Sequence, residues 1–170
     1  YLVTHNTTLN QLVLCIVAAH KLRHFTVVLE KTFTEASEVL NVVRDEFSHN
    51  ELLRIVYGDG VKRDTEGVFD DRNKNAQGDL FIFGVRFRGK GFNTPVRGLK
   101  SLEYRPDLIL IDDVEEDTHI RSDEQRRKYR ENYAQGIVPA VDVDGVIKVT
   151  GTILHQDSLL QNLIDQFGGT

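Results

Sequence analysis

The sequence predicts an α/β fold in which a mostly parallel β-sheet is covered by helices on both faces. Helical and strand patterns alternate along the first third of the chain, and such alternation is typical of parallel sheets. Residues 108–111, Leu-Ile-Leu-Ile, form an apolar run that indicates a strand buried on both faces. Asp112 and Asp113 follow directly. The predicted strand therefore delivers carboxylates to the sheet edge at which open α/β sheets bind ligands.

Three elements are predicted in the first third of the chain. Apolar residues in residues 7–22 recur with the spacing of a well-buried helix. Residues 24–30 are rich in β-branched and aromatic side chains, which indicates a strand. Thr34 is then predicted as the N-cap of an amphipathic helix whose apolar positions extend to Phe47.

The middle of the chain predicts a loop, a strand and a second loop. Residues 58–78 are polar and are predicted to form a loop. Residues 80–92 return to strand character, and apolar residues alternate with arginine over residues 85–88, as in a half-exposed strand. Glycines and Pro95 then predict a loop that extends to Gly98.

The last third predicts a polar helix, a turn, a strand and a final helix. Ser122 and Gln125 match a capping box that opens a helix to about Gln135. The Asp144-Gly145 pair is a strong hairpin-turn signal, and a strand over residues 146–150 follows it. The final helix places five apolar residues on one face, namely Leu159, Leu160, Leu163, Ile164 and Phe167.

Composition indicates one soluble intracellular domain, residues 1–170. The chain is 40% hydrophobic, which allows a sizeable core, and no apolar run reaches the ~18 residues of a membrane span. The only cysteine, Cys15, lies in an apolar run and is predicted to be a core residue. The net charge of −5 argues against a surface that binds nucleic acid throughout. A local basic strip nevertheless contains Arg86, Arg88, Lys90, Arg97, Lys100 and Arg105, with Glu103 as the single acid.

Three segments carry a resemblance to a known family. Arg97-Gly98 is followed by the segment 105–115, and the segments 121–126 and 150–160 come after it. In this order and at these distances, residues 80–163 resemble the ATPase domain of the large terminase subunit of tailed phages. The resemblance implies a RecA-like (ASCE) P-loop ATPase core that uses ATP and Mg²⁺ to pump DNA into a viral capsid. No nuclease domain is expected within this chain.

The resemblance also assigns roles to individual residues. Asp112 corresponds to the Walker B aspartate, which holds magnesium. Asp113 and Glu115 are the two alternatives for the carboxylate that polarises the attacking water. Arg97 is predicted to act on a neighbouring subunit's nucleotide, and a DNA phosphate contact or a structural ion pair are the alternatives. A coupling motif that senses the γ-phosphate is predicted at Thr150, Gly151 and Thr152.

The N-terminus departs from the family's phosphate loop, G-x-x-x-x-G-K-[ST]. If Thr7 and Thr8 match the threonines after the lysine, they lie near the nucleotide, and Thr7 also lies near magnesium. Asn6 then stands where the lysine belongs, and His5 where glycine belongs. Three explanations stay open: a lost lysine, an altered N-terminus, or a first strand at residues 1–4 whose following loop is missing. As written, the sequence predicts a poor ATPase.

Partners follow from the resemblance alone. Double-stranded DNA, the capsid portal, the small terminase subunit and further copies in a homo-oligomeric ring are expected, in the host cell cytoplasm and without membrane contact. The alternative function is a nucleotide-incompetent module that binds DNA, the portal or a neighbouring subunit. A metal-dependent nuclease built on Asp112, Asp113, Glu115 and Asp117 is least favoured, because such a site needs carboxylates from several separated strands.

Overall fold

The computed structural model describes residues 6–61, 77–116 and 121–168, with side chains described from Thr8 onward. In chain order the main elements are α1 (Asn6–His20), β1 (Phe25–Glu30), α2 (Phe33–His49), α3 (Glu51–Tyr57), β2 (Asp79–Ile82), β3 (Val85–Gly91), β4 (Leu108–Asp112), α4 (Asp123–Glu131), β5 (Val146–Thr150) and α5 (Leu159–Phe167). A π-helical segment, Asn132–Ile137, and a 3₁₀ turn, Val138–Ala140, continue α4.

The sheet has five described strands in the order β2, β3, β1, β4, β5. Strand β1 pairs in parallel with β3 and β4, β4 pairs in parallel with β5, and among the described strands only β2 is antiparallel to its neighbour. Leu29 lies opposite Ile111, and Asp112 lies opposite Thr150. The carboxyl ends of β1, β4 and β5 therefore meet at one edge of the sheet.

Helices cover both faces of the sheet, which confirms the predicted fold class. On one face, Val28 and Leu110 pack with residues of α1 and α2. On the other face, Ile109 and Ile111 pack with α4, the π-helical segment and α5. Strand β4 is buried along its whole length, as predicted for residues 108–111. None of the helices in the described ranges has the length and apolar character that a membrane span requires.

The first predicted helix and strand are confirmed, and the start of α2 is corrected. Thr32, not Thr34, is the N-cap of α2, because its hydroxyl accepts the Glu35 N–H at 3.2 Å while the Glu35 carboxylate accepts the Thr32 N–H at 2.9 Å. This reciprocal pair satisfies two backbone donors, which Thr34 cannot do from inside the first turn. Helix α3, capped by Asn50, was not predicted.

Residues 80–92 form two strands rather than one. Phe83 and Gly84 both have positive φ, 51° and 87°, and join β2 to β3 in a tight hairpin. The apolar pattern runs through Phe83, so the turn is hidden in the sequence. Strand β3 alternates buried and partly exposed residues as predicted. Of the predicted loop at residues 58–78, positions 62–76 lie outside the described residues.

Two local predictions in the last third are wrong. Ser122 occupies the N-cap of α4, but its side chain makes no capping hydrogen bond, so the capping box is not formed. The Gly145 N–H donates to the Asp142 carbonyl at 2.9 Å, so a turn is present, but it does not form a hairpin. The segment before it includes the 3₁₀ turn, and the strand after it, β5, pairs in parallel with β4.

Candidate functional site

Three polar side chains form a row at the carboxyl edge of the sheet. Side chains alternate between the faces of a strand, so residues two apart share a face. Glu30 lies two positions after Val28, and Asp112 lies two positions after Leu110. Both apolar residues belong to the core beneath α1 and α2. Thr150 lies opposite Asp112 on the neighbouring strand. The row Glu30, Asp112, Thr150 therefore faces α1 and α2.

Asp112 is held by a hydrogen-bond network that connects α1 with β5. Its side chain is almost fully buried, with 1% of the residue exposed, and it accepts a hydrogen bond from the Thr150 hydroxyl at 2.7 Å. The Thr150 hydroxyl in turn accepts one from the Asn10 side-chain amide at 2.9 Å, and the Lys148 ammonium donates to the Asn10 carbonyl oxygen. The network fixes the orientation of the Asp112 carboxylate. It does so through Thr150, the last residue of β5 and the first residue of the predicted coupling motif.

Asp113 has a strained backbone and a partly exposed carboxylate. Its φ of 42° lies in the left-handed region, which non-glycine residues seldom adopt and which often marks functional sites. Its N–H donates to the Thr150 carbonyl at 2.9 Å. The side chain is 48% exposed, and its carboxylate lies 3.4 Å from the Lys31 ammonium. The strained backbone therefore directs this carboxylate outward from the strand end.

The Glu115 carboxylate binds the start of α5. It is 7% exposed, and its two carboxylate oxygens accept the Leu159 N–H at 3.0 and 2.9 Å. Leu159 begins α5, so this carboxylate satisfies a free backbone donor at the positive end of the helix dipole. In this geometry Glu115 fastens α5 to the loop after β4.

A cavity of about 390 Å³ opens beside the row of polar residues. It is lined by Gln11, Glu30, Lys31, Glu35, Glu38, Val39, Val42 and Asp113. Burial, followed by the carboxylates of Asp112, Glu35 and Asp113, raises the pKa of Glu30 from 4.5 to about 8, against the opposing charge of Lys31. The cavity is therefore strongly acidic, and Lys31 is the single cation among its described lining residues.

The remaining residues predicted for the site are not part of the hydrogen-bond network around Asp112. Gly151 and Thr152 line a narrow cleft together with Asp113 and Glu115. Arg97 is exposed in the loop between β3 and β4 and forms no ion pair with a carboxylate in the described ranges. Thr8 is exposed in the first turn of α1. The side chains of Asn6 and Thr7, together with residues 1–5 and Asp117, lie outside the described part.

The donor set suits Mg²⁺ that is held mainly through water and phosphate. Carboxylate and hydroxyl oxygens are the ligands that this ion prefers, and it commonly uses only one or two protein carboxylates. Among the described residues, no group of three or more Asp, Glu, His or Cys side chains is arranged to hold a metal ion. The Asp112 carboxylate beside the Thr150 hydroxyl fits a Mg²⁺ ion that takes one or two protein ligands and otherwise binds water and phosphate. The nuclease alternative has no supporting cluster in these ranges.

Four residues of the site were not predicted, namely Asn10, Glu30, Lys31 and Lys148. Glu30 ends the predicted strand at residues 24–30, and Lys31 follows it directly. Both carried a recognisable signal, because charges at a strand end in an α/β sheet lie at the ligand-binding edge. Asn10 is a polar residue inside an apolar helix, and this also was a signal. Lys148 had none beyond its alternation with valine and isoleucine.

Comparison with known proteins supports the fold and leaves the function to be inferred. No protein-family model matches the chain, and no curated protein matches it significantly. Among solved structures, the large terminase ATPase domain of Thermus phage P74-26 matches with a TM-score of 0.51 and 17% sequence identity. The match covers 89% of this chain and 56% of that chain. At this identity the likeness shows a shared fold.

Proposed function

We propose that this chain is a nucleotide-hydrolysing module of a viral DNA-packaging motor, the ATPase domain of a large terminase. The observation that carries the proposal is Asp112, a buried carboxylate that ends the interior strand β4 and is oriented by Thr150. Such a carboxylate at the sheet edge is what a magnesium-nucleotide site requires. The structural likeness to the terminase ATPase domain of Thermus phage P74-26 supports the same assignment.

The described residues would divide the work of hydrolysis. Bound Mg²⁺ and ATP would supply the phosphoryl group and the neutralising charge. Asp112 would hold the metal's water shell, and Asp113, partly exposed at the cavity, would orient the attacking water. Glu115 is the weaker choice for water, because both of its oxygens already accept the Leu159 N–H. Thr150 would report the state of Asp112 through their hydrogen bond.

The remaining expectations about the site stay proposals. The first turn of α1 would lie at the phosphates, since Gln11 lines the same cavity as Asp113 and helix N-termini favour anions. Asn6, Thr7 and Thr8 belong to this turn. Gly151 and Thr152 would complete the coupling motif. Arg97, exposed and without a carboxylate partner in the described ranges, would be available to a neighbouring subunit's nucleotide.

Part of the basic strip would contact double-stranded DNA. Arg86 is already used by Asp79, at 2.6 Å, and Lys90 donates to the Pro95 carbonyl. Arg86, Arg88 and Lys90 alternate along β3, so three cations are crowded on one face of the strand. A phosphate backbone would relieve that crowding. The capsid portal, the small terminase subunit and a homo-oligomeric ring in the host cytoplasm are proposed from the same family resemblance.

A second candidate function is a nucleotide-incompetent module that binds DNA, the portal or a neighbouring subunit. The acidic cavity favours it, because phosphates are repelled by carboxylates and Lys31 is the single described cation in the lining.

Nucleotide-dependent thermal stabilisation separates the two functions. With Mg²⁺ and a non-hydrolysable ATP analogue at about 100 times Kd, an intact site gains about 2.7 kcal/mol, which raises Tm by roughly 5–10 °C in a domain of this size. Asp112→Asn should abolish the shift, and Asp144→Asn, an exposed aspartate in the turn before β5, should keep it. No shift in the wild type rejects the ATPase proposal and favours the second function. An unchanged shift in Asp112→Asn rejects the role of that residue.

A further inference from the structure

Lys31 lies between the end of β1 and the N-cap of α2, and its ammonium group connects two parts of the candidate site. The Nζ atom is 3.4 Å from Asp113 Oδ2 and 4.0 Å from Glu116 Oε1. Its side chain is 28% exposed. One cation just after β1 thus bridges two carboxylates of the loop that follows β4.

The surroundings keep this ammonium charged. Burial works to lower the pKa of Lys31, but the carboxylates of Asp113, Glu116 and Glu35 outweigh it, so the pKa is raised. The cavity that Lys31 lines also contains Glu30, Glu35 and Glu38. A fixed positive charge therefore stands within an acidic site and reduces the repulsion between its carboxylates.

The backbone of Asp113 is fixed, whereas its side chain has few restraints. Its left-handed φ and its N–H bond to the Thr150 carbonyl set the direction of the Cα to Cβ bond. The carboxylate is half exposed, and within the described ranges Lys31 is its ion-pair partner. Rotation about χ1 is thus restrained chiefly by the ammonium.

We infer that Lys31 is a positioning residue that holds the Asp113 carboxylate in the orientation needed to align water for attack. The inference rests on the proposed function, and it deepens that function by adding a residue outside the family motifs of the β4 end. Small errors in the placement of a reacting group can cost about a hundredfold in rate. Since the ammonium contacts the protein's own carboxylates, its loss affects the chemical step more than nucleotide binding.

The first test compares Lys31→Met, Lys31→Arg and Lys128→Met in steady-state ATP hydrolysis. Lys128 is the matched control, because it also pairs with a glutamate, Glu124, at 2.8 Å, but lies on the exposed side of α4. Lys31→Met should lower kcat by roughly 10- to 100-fold and leave KM within about threefold. Lys31→Arg should recover most of the rate, and Lys128→Met should match the wild type. An unchanged kcat in Lys31→Met overturns the inference.

Two further readouts do not depend on turnover. The Kd of a non-hydrolysable ATP analogue should stay within about threefold in Lys31→Met, and a rise above about tenfold would mean that Lys31 binds phosphate instead. The urea midpoint of the nucleotide-free protein should respond to Lys31→Met less in an Asp113→Asn background than in the wild type. If the effects of Lys31→Met and Asp113→Asn on the urea midpoint simply add, the two side chains do not interact and the inference is wrong. A wild type that neither binds nor hydrolyses nucleotide rejects the proposed function, and coupled midpoints would then leave Lys31 a structural partner of Asp113.

Discussion

Replacing Glu30 with glutamine should remove much of the pH dependence of stability. Glu30 is 8% exposed, and the carboxylates of Asp112, Asp113 and Glu35 lie around it, with Lys31 as the opposing charge. Burial and these neighbours raise the Glu30 pKa from 4.5 to about 8. The folded protein therefore holds the Glu30 proton far more tightly than the unfolded chain does.

The sign and the size of the effect follow from this difference. The folded state binds more protons than the unfolded state between about pH 4.5 and about pH 8, so the free energy of unfolding falls as pH rises through that window. At about 1.4 kcal/mol for each pKa unit, the penalty above pH 8 has an upper limit of about 5 kcal/mol. Glutamine keeps the shape and cannot ionise. Glu30→Gln should be more stable than the wild type above pH 8 by ~2–5 kcal/mol, and nearly equal to it below pH 4.5.

Urea denaturation at a series of pH values between about 4 and 9 measures the difference directly. Glu38→Gln is the matched control, since Glu38 lines the same cavity but is exposed, and its profile should follow the wild type. Parallel profiles for the wild type and Glu30→Gln would refute the reasoning, because they would mean that Glu30 titrates alike in the folded and unfolded states.

Three further substitutions test the core and the choice of water-orienting carboxylate. The Thr26 hydroxyl is buried in β1 without a hydrogen-bond partner in the described ranges. Thr26→Val should therefore raise the free energy of unfolding by ~1 kcal/mol. A loss of stability in urea denaturation would contradict this. Glu115→Gln should lower the free energy of unfolding by ~1 kcal/mol, because it removes a charge from the N-terminus of α5, yet keep ATP hydrolysis within a few-fold. Asp113→Asn should lower the rate of ATP hydrolysis by about 100-fold or more. A larger loss of hydrolysis in Glu115→Gln than in Asp113→Asn would instead make Glu115 the residue that orients the water.

The parts predicted well are those where one physical signal dominates. Residues 108–111 had to be a central strand, because an uninterrupted apolar run is stable only when both faces are covered. The final helix was evident from its apolar face and is capped by Ser158, whose hydroxyl accepts the Gln161 N–H. Both features are local, so a short stretch of sequence contains the whole cause.

The parts predicted wrongly depend on competition between local alternatives. Thr32 and Thr34 are both reasonable N-caps, and the position of Glu35 decides between them. Asp144-Gly145 makes a turn in either topology, but whether that turn forms a hairpin depends on what precedes it. The hairpin at Phe83 was missed because its residues continue the apolar pattern of the flanking strands.

The sequence alone determined the alternation of helices and strands, the buried central strand and the carboxylates at its end. These follow from hydrophobic periodicity, which is a property of neighbouring residues. Only the tertiary structure decided which groups meet at that end, because parallel pairing brings Glu30 and Lys31 beside Asp112 and Asp113 although some eighty positions separate them. It also separated Asp113 from Glu115: the strained backbone turns one carboxylate outward to the cavity, and the start of α5 occupies the other.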